Sequence, residues 1–330
     1  MPAKKLSLAP QATFLAAPFV EARATALRAH GAKAALLGIP YDMGGIFRTG
    51  TSAGPRGLRE ASRQYLGYFF DDDVDLLEAY RLVDCGDAPM VPAAPKKCRA
   101  AAKSAAKEIL RSGALGIFIG GDHSLPIPLG EAVAEETDGK VGYIVFDANM
   151  DAEDAVDGEV NSNWSGVRRL SELPNVSPRN MVLIGIRGSL NTKAQTDYLK
   201  RKGIRVIGMR EVIERGIVAV MEEALGLAGR GTKALYASFD TDGIDAAYAP
   251  GTSGPEPGGL TSREILTAAR MIGRHGVTLF DIVEYCPAYD PSGITGKLCC
   301  YIIFNLLGAR YVAEREKARR TKSGKSKRGR

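Results

Sequence analysis

The stretch Val141-Gly142-Tyr143-Ile144-Val145-Phe146-Asp147-Ala148-Asn149-Met150-Asp151 joins an unbroken apolar run to a cluster of polar side chains. A strand covered on both faces reads as such a continuous run, whereas a strand with one solvated face alternates. Val141–Asp147 is therefore expected inside a sheet with helices on either side. The same form recurs at Ala34–Pro40, Leu82–Gly86, Leu115–Gly120, Met181–Arg187, Ile204–Gly208, Ala234–Asp240 and Val277–Tyr285, which makes eight candidate strands. Helical patterns fall between or after them at Pro55–Tyr65, Lys97–Ser112, Asn191–Lys202, Arg210–Leu227, Ser262–Gly273 and Leu298–Glu316. Thr261-Ser262-Arg263-Glu264 reads as a helix start, with a hydroxyl for an orphan N–H and a glutamate for the positive end. This order predicts an α/β protein with a mainly parallel sheet. A closed barrel of eight βα units is the alternative that the strand count permits.

At 330 residues, 45% hydrophobic and 25% charged, the chain is long enough for one large core and too polar for a membrane protein. No run approaches the roughly 18 apolar residues of a bilayer span. Met1-Pro2-Ala3-Lys4-Lys5 leads into no apolar signal core, so a cytoplasmic protein is expected. Five cysteines, Cys85, Cys98, Cys286, Cys299 and Cys300, are an odd number without CxxC spacing, which argues for core thiols rather than disulfides or a zinc ribbon. The net charge of +6 is local: residues 315–330 hold nine basic side chains against Glu316, leaving −2 for residues 1–314. The expected organisation is a single domain over 1–314 and a basic, disordered tail over 315–330. Without aromatic residues on which bases could stack, the tail gives little support to nucleic-acid binding.

Open α/β sheets bind their ligands beyond the C-terminal ends of the strands, and that is where acids collect here. Leu115–Gly120 leads into Gly121-Asp122-His123-Ser124, Val141–Phe146 into Asp147-Ala148-Asn149-Met150-Asp151, and Ala234–Phe239 into Asp240-Thr241-Asp242-Gly243-Ile244-Asp245. Spacing by two turns alternate side chains to one face, so Asp147, Asn149 and Asp151 can converge, as can Asp240 and Asp242. Carboxylates crowded in this way repel one another unless a cation neutralises them. With His123 beside them they suit a hard or borderline divalent ion such as Mn2+ or Ni2+.

Taken in order, Gly120-Gly121-Asp122-His123-Ser124, Ser238-Phe239-Asp240-Thr241-Asp242-Gly243-Ile244-Asp245, Ala249-Pro250-Gly251-Thr252 and Pro255-Glu256-Pro257-Gly258-Gly259-Leu260 resemble the GGDHS, SxDxDxxD, APGT and PxPGGL motifs of the ureohydrolase (arginase/agmatinase) family. Gly185-Ile186-Arg187-Gly188 and Asp281-Ile282-Val283-Glu284 are similar to family segments as well, and the resemblance runs from Gly38 to the last helix. It implies a three-layer α/β/α sandwich of the arginase type, assembly into trimers or hexamers, a bridged pair of Mn2+ or Ni2+ ions, and release of urea from a guanidinium-type substrate. Guanidinium is a resonance-stabilised, poor electrophile, and a metal pair answers this by supplying hydroxide at neutral pH. The family pattern puts one ion on His123, Asp147, Asp151 and Asp240, and the other on Asp147, residue 149, Asp240 and Asp242. It sets Glu284 against the substrate cation.

The chain departs from that pattern where the chemistry is most demanding. Asn149 stands where the family's DAHxD motif has histidine, and an amide oxygen is a weaker ligand than imidazole. Counting without gaps from Asp147, Asn163 falls on the family's active-site histidine and cannot ferry a proton near neutrality. Trp164, the single tryptophan, replaces a glycine and is bulky enough to fill part of a substrate cavity. Ala246 and Ser253-Gly254 are smaller departures nearby, and the remaining histidines, His30 before the first strand and His275 at the end of a predicted helix, read as surface or structural residues. The expectation is a metal-poor subunit that holds one ion weakly or none and supports a catalytic paralogue. The known arrangement it most resembles is a heteromeric, nickel-dependent metformin hydrolase. An active agmatinase-like or guanidine hydrolase with an altered metal site is one alternative, and a polyanion binder acting through the basic tail is another.

Overall fold

A computed structural model describes residues 12–328; Met1–Lys5 and the last two residues of the basic tail lie outside the described residues. Its strands are β1 (Ala34–Gly38), β2 (Tyr68–Phe69), β3 (Val74–Asp75), β4 (Val83–Asp87), β5 (Leu115–Ile119), β6 (Lys140–Phe146), β7 (Val176–Ile186), β8 (Arg205–Gly208), β9 (Thr232–Asp240) and β10 (Leu279–Val283). Eight of them form one sheet in the order β4-β1-β5-β10-β9-β6-β7-β8, and every pairing in it is parallel. β4 and β8 are its edges, so the sheet is open and the barrel alternative fails. All eight expected strands are present; β2 and β3, only two residues each, form a separate antiparallel ladder that no apolar run announces.

The helices are α1 (Ala24–His30), α2 (Gly54–Ser62), α3 (Leu76–Tyr80), α4 (Pro95–Ser112), α5 (Pro126–Glu136), α6 (Gly166–Ser171), α7 (Lys193–Lys202), α8 (Met209–Arg215), α9 (Ile217–Ala228), α10 (Ser262–His275) and α11 (Ile294–Arg328). Along β6, Val141, Tyr143 and Val145 enter one core while Ile144 and Phe146 enter the other. Leu27 of α1, Ala102 of α4, Leu129 of α5, Leu170 of α6 and Leu199 of α7 complete the first core. Leu58 of α2, Met221 of α9, Ile265 of α10 and Ile303 of α11 complete the second. A sheet buried on both faces between two helical layers is the three-layer sandwich that the continuous runs demand. All five cysteines are free and buried within it.

Local chemistry explains where the elements depart from expectation. The helix expected over Arg210–Leu227 is two, because Gly216 adopts φ +76° between α8 and α9. α10 starts at the expected capping box, with Thr261 accepting from the Glu264 N–H and Glu264 accepting from the Thr261 N–H. The stretch from 315, expected as disordered chain, continues α11 as far as Arg328. Arginine, lysine, alanine and glutamate are good helix formers, and here they extend a helix already anchored by packing against α10. Among the described residues no helix is long and apolar enough to cross a membrane.

Candidate metal centre

The four loops that carry the expected site residues follow β5, β10, β9 and β6, which are consecutive neighbours at the centre of the sheet. Parallel alignment puts their C-terminal ends at one edge, so side chains far apart in sequence meet without any further device. The turn after β5 needs glycine: a Cβ on Gly121 would lie 1.5 Å from the Tyr41 carbonyl oxygen. Asp122 fastens the same turn, accepting from the Gly44 N–H at 2.7 Å and the Ser124 N–H at 2.9 Å. Asp151 and Glu284 hold φ values of +45° and +61°, unusual for residues with a side chain and of the kind that accumulates at functional sites.

His123 Nδ1 lies 2.9 Å from Asp147 Oδ2, 2.9 Å from Asp151 Oδ2 and 3.1 Å from Asp240 Oδ2, all four residues being buried. It is in hydrogen-bonding line with none of them, and Asp147 Oδ2 likewise has no hydrogen-bond partner. Asp147, Asp240 and Asp242 form an adjoining group whose ligand atoms lie within 4.8 Å of one another. Orphaned polar atoms facing each other at these distances are costly without a shared cation, so the donor set fits a divalent ion. The electrostatics agree. Burial, with Asp151 adding to it, raises Asp147 to about 6; burial and Asp240 push Asp242 well above the carboxylate range. Burial pushes the His123 imidazole down, but the surrounding carboxylates, Asp147 first, overcome this and raise it well above its usual range. A divalent cation held here would take the place of that proton.

Behind His123 runs a chain of partners that the sequence did not mark as functional. Asp281 accepts from Ser238 Oγ at 2.7 Å and from the Tyr236 hydroxyl. With its proton committed to Asp281, Ser238 Oγ can only accept from His123 Nε2, 3.1 Å away. The imidazole is thereby held with Nδ1 towards the carboxylates. Arg187 points its guanidinium at backbone carbonyls, among them Asp242 at 2.8 Å and Glu256 at 2.7 Å, and so ties the loop after β9 to the 255–260 segment. Asn191 does the same for the loop after β6, accepting from the Met150 N–H at 2.8 Å and donating to the Ala148 carbonyl at 3.0 Å. The motifs containing Ser238, Asp281 and Arg187 were visible, but their roles depend on contacts between neighbouring strands and loops.

Asn149 and Asn163 lie in the site. Both line a cavity with His123, Asp240 and Glu284. Asn149 Nδ2 and Asn163 Oδ1 are buried without a hydrogen-bond partner among the described residues, while Asn163 Nδ2 lies 3.4 Å from Glu284 Oε1. Glu284 is held by the His123 N–H at 2.8 Å and by the Ser253 hydroxyl; burial, then Asp240 and Asp122, raise it to about 8. Trp164 lines the cavity beside Phe47, and the space left is about 30 Å3, room for roughly one water molecule. His30 and His275 line no part of it.

An open parallel α/β sheet that gathers a histidine and buried aspartates beyond its central strands is a metal-centre architecture of the arginase type. The arginase family model matches residues 32–308. This chain belongs to the arginase (ureohydrolase) family. It is 32% identical over 286 residues to the proclavaminate amidinohydrolase of Streptomyces clavuligerus, spanning 87% of this chain and 89% of that protein. It is 33% identical over 275 residues to a guanidinopropionase of Pseudomonas aeruginosa, spanning 82% and 85%. The solved structure of the proclavaminate enzyme superposes with a TM-score of 0.82, covering 92% of this chain and 98% of that one at 32% identity. A Trypanosoma cruzi formiminoglutamase solved with Mn2+2 superposes at 0.79, covering 88% and 98% at 25% identity.

Proposed function

We propose that this chain is a cytoplasmic ureohydrolase subunit with a degenerate metal centre, supporting a catalytic paralogue in the hydrolysis of a guanidine or biguanide of the metformin kind with release of urea. What carries the reading is the cavity itself: both family histidines are asparagines there, and about 30 Å3 of space remains. His123, Asp147, Asp151 and Asp240 are the donors for one Ni2+ or Mn2+ ion; Asp147, Asp240 and Asp242 with Asn149 are the set for a second, weaker one. A divalent cation bound there supplies hydroxide at neutral pH. Glu284 faces the cavity as partner for a substrate cation. Asn163, beside it, does not titrate near neutrality and so cannot hand a proton to a departing amine.

A paralogue needs a surface to meet, and Leu66, Tyr68 and Phe70 supply one. Leu66 is 84% exposed and Phe70 81%, and with Tyr65, Tyr301 and Phe304 they frame a cavity of about 290 Å3. Exposed apolar patches of this kind mark contacts between subunits, here in a trimer or hexamer.

The intact donor set supports a second reading, an active agmatinase-like or guanidine hydrolase with an altered site. Urea release by the chain expressed alone separates the two. Under the first reading the wild-type chain is inactive with metformin, agmatine and methylguanidine, and Asn149→His with Asn163→His gains activity. Turnover by the wild type that the double variant leaves equal or lowers supports the second.

A further inference from the structure

Two aromatic side chains close the cavity, and none of the chemistry above uses them. Phe47, in the loop after β1, and Trp164, just before α6, meet edge to face with ring centroids 5.7 Å apart. The cavity behind them is walled by Asp151, Asp240, Asp242 and Glu284 and, among the described residues, by no lysine or arginine. Arg48, next to Phe47 in the chain, lies over the Tyr289 ring instead, 4.9 Å from its centroid. Hydrogen bonds tie down the chain on either side of both rings. The Asn163 N–H donates to the Gly44 carbonyl at 2.9 Å, the Glu153 N–H to the Trp164 carbonyl at 2.9 Å, and the Gly50 N–H to Asp42 at 2.9 Å. Phe47 is 63% exposed, whereas Trp164 is half-buried, so Phe47 is the ring with solvent beside it.

We propose that Phe47 and Trp164 form a gate that admits guanidinium-type cations carrying only hydrogen or small alkyl substituents, and rejects guanidino carboxylates. The inference rests on the guanidine-directed reading of the site and adds its selectivity. A cation gains from the acidic walls and from the aromatic faces it passes. A carboxylate tail meets four acidic side chains, and the basic group among the lining residues, His123, already faces Asp147, Asp151 and Asp240, so the approach is unpaired and discriminates more strongly than a missing contact. The small space behind the rings favours short substituents.

Trp164 is the single tryptophan, so its emission in the full-length protein reports on the gate directly. Titration with methylguanidine is expected to give a saturable emission change at a concentration at least about tenfold lower than any change with 3-guanidinopropionate. Phe47→Ala keeps the reporter and is expected to cut that preference at least about threefold. Its melting temperature checks that the fold is intact. Equal responses to the two ligands, a preference for the carboxylate, no response to either, or a preference unchanged in Phe47→Ala would overturn the proposal. Urea assays on the same samples keep the two readings apart: selective binding with turnover retains the gate and removes the supporting role, and absent binding in an inactive chain removes only the gate.

Discussion

In the proposed centre, Asn149 sets how firmly a second ion would be held. Because imidazole nitrogen is a far better ligand than an amide oxygen, Asn149→His is expected to tighten metal binding at least about tenfold, measured by competition with a chelating dye. The buried acids give the metal-free protein a pH signature of its own. Burial, helped by neighbouring carboxylates, raises Asp147 to about 6 and Glu284 to about 8, and burial raises Asp281 to about 6. The folded chain thus keeps protons that the unfolded chain has already lost. Stability from these groups is complete below the ordinary carboxylate range and disappears as pH rises through about 6 and then about 8; the raised His123 acts in the same direction. The melting temperature of chelator-treated protein is expected to fall between about pH 5 and pH 8.5, and a rise across that window would contradict this electrostatic picture. Spacing by two at strand ends made His123, Asp147, Asp151, Asp240 and Asp242 legible as a cluster. The support from Asp281 was not legible, because it depends on the register that sets Asp281 beside Ser238 on the neighbouring strand.

Strands buried on both faces write themselves into a sequence as apolar runs, and all eight of the central sheet could be read in that way. Helices that owe their place to packing are harder to read. α5 begins Pro126-Ile127-Pro128, where two prolines suggest a loop although the first turn of a helix tolerates them, and α6 is only six residues long. α8 and α9 were merged because nothing but Gly216 separates two compatible patterns. α10 was legible from its cap, and the cap has a measurable worth. Thr261→Ala removes the hydroxyl that accepts from the Glu264 N–H and is expected to cost about 1 kcal/mol in chemical denaturation. A loss below about 0.3 kcal/mol would mean that the end of α10 is held by its packing alone.

The molecule as a whole has an arginase-type scaffold around a cavity lined by Asn149 and Asn163. Parallel alignment makes the scaffold independent of the site's chemistry: the loops after β5, β10, β9 and β6 converge because the strands do, whichever side chains they carry. Assembly is expected to depend on the exposed patch beside α11. Leu66→Asp with Phe70→Asp should shift the protein to a smaller species in size-exclusion chromatography with light scattering, leaving the fold intact by circular dichroism. An unchanged mass would place the subunit contact elsewhere. The central claim concerns the metal, and the most direct measurement is the amount of Mn and Ni retained per chain by the protein expressed alone, supplied with each metal and desalted. Less than one tightly held ion per chain is the predicted result; two would contradict the account and make Asn149 a working ligand of a complete centre.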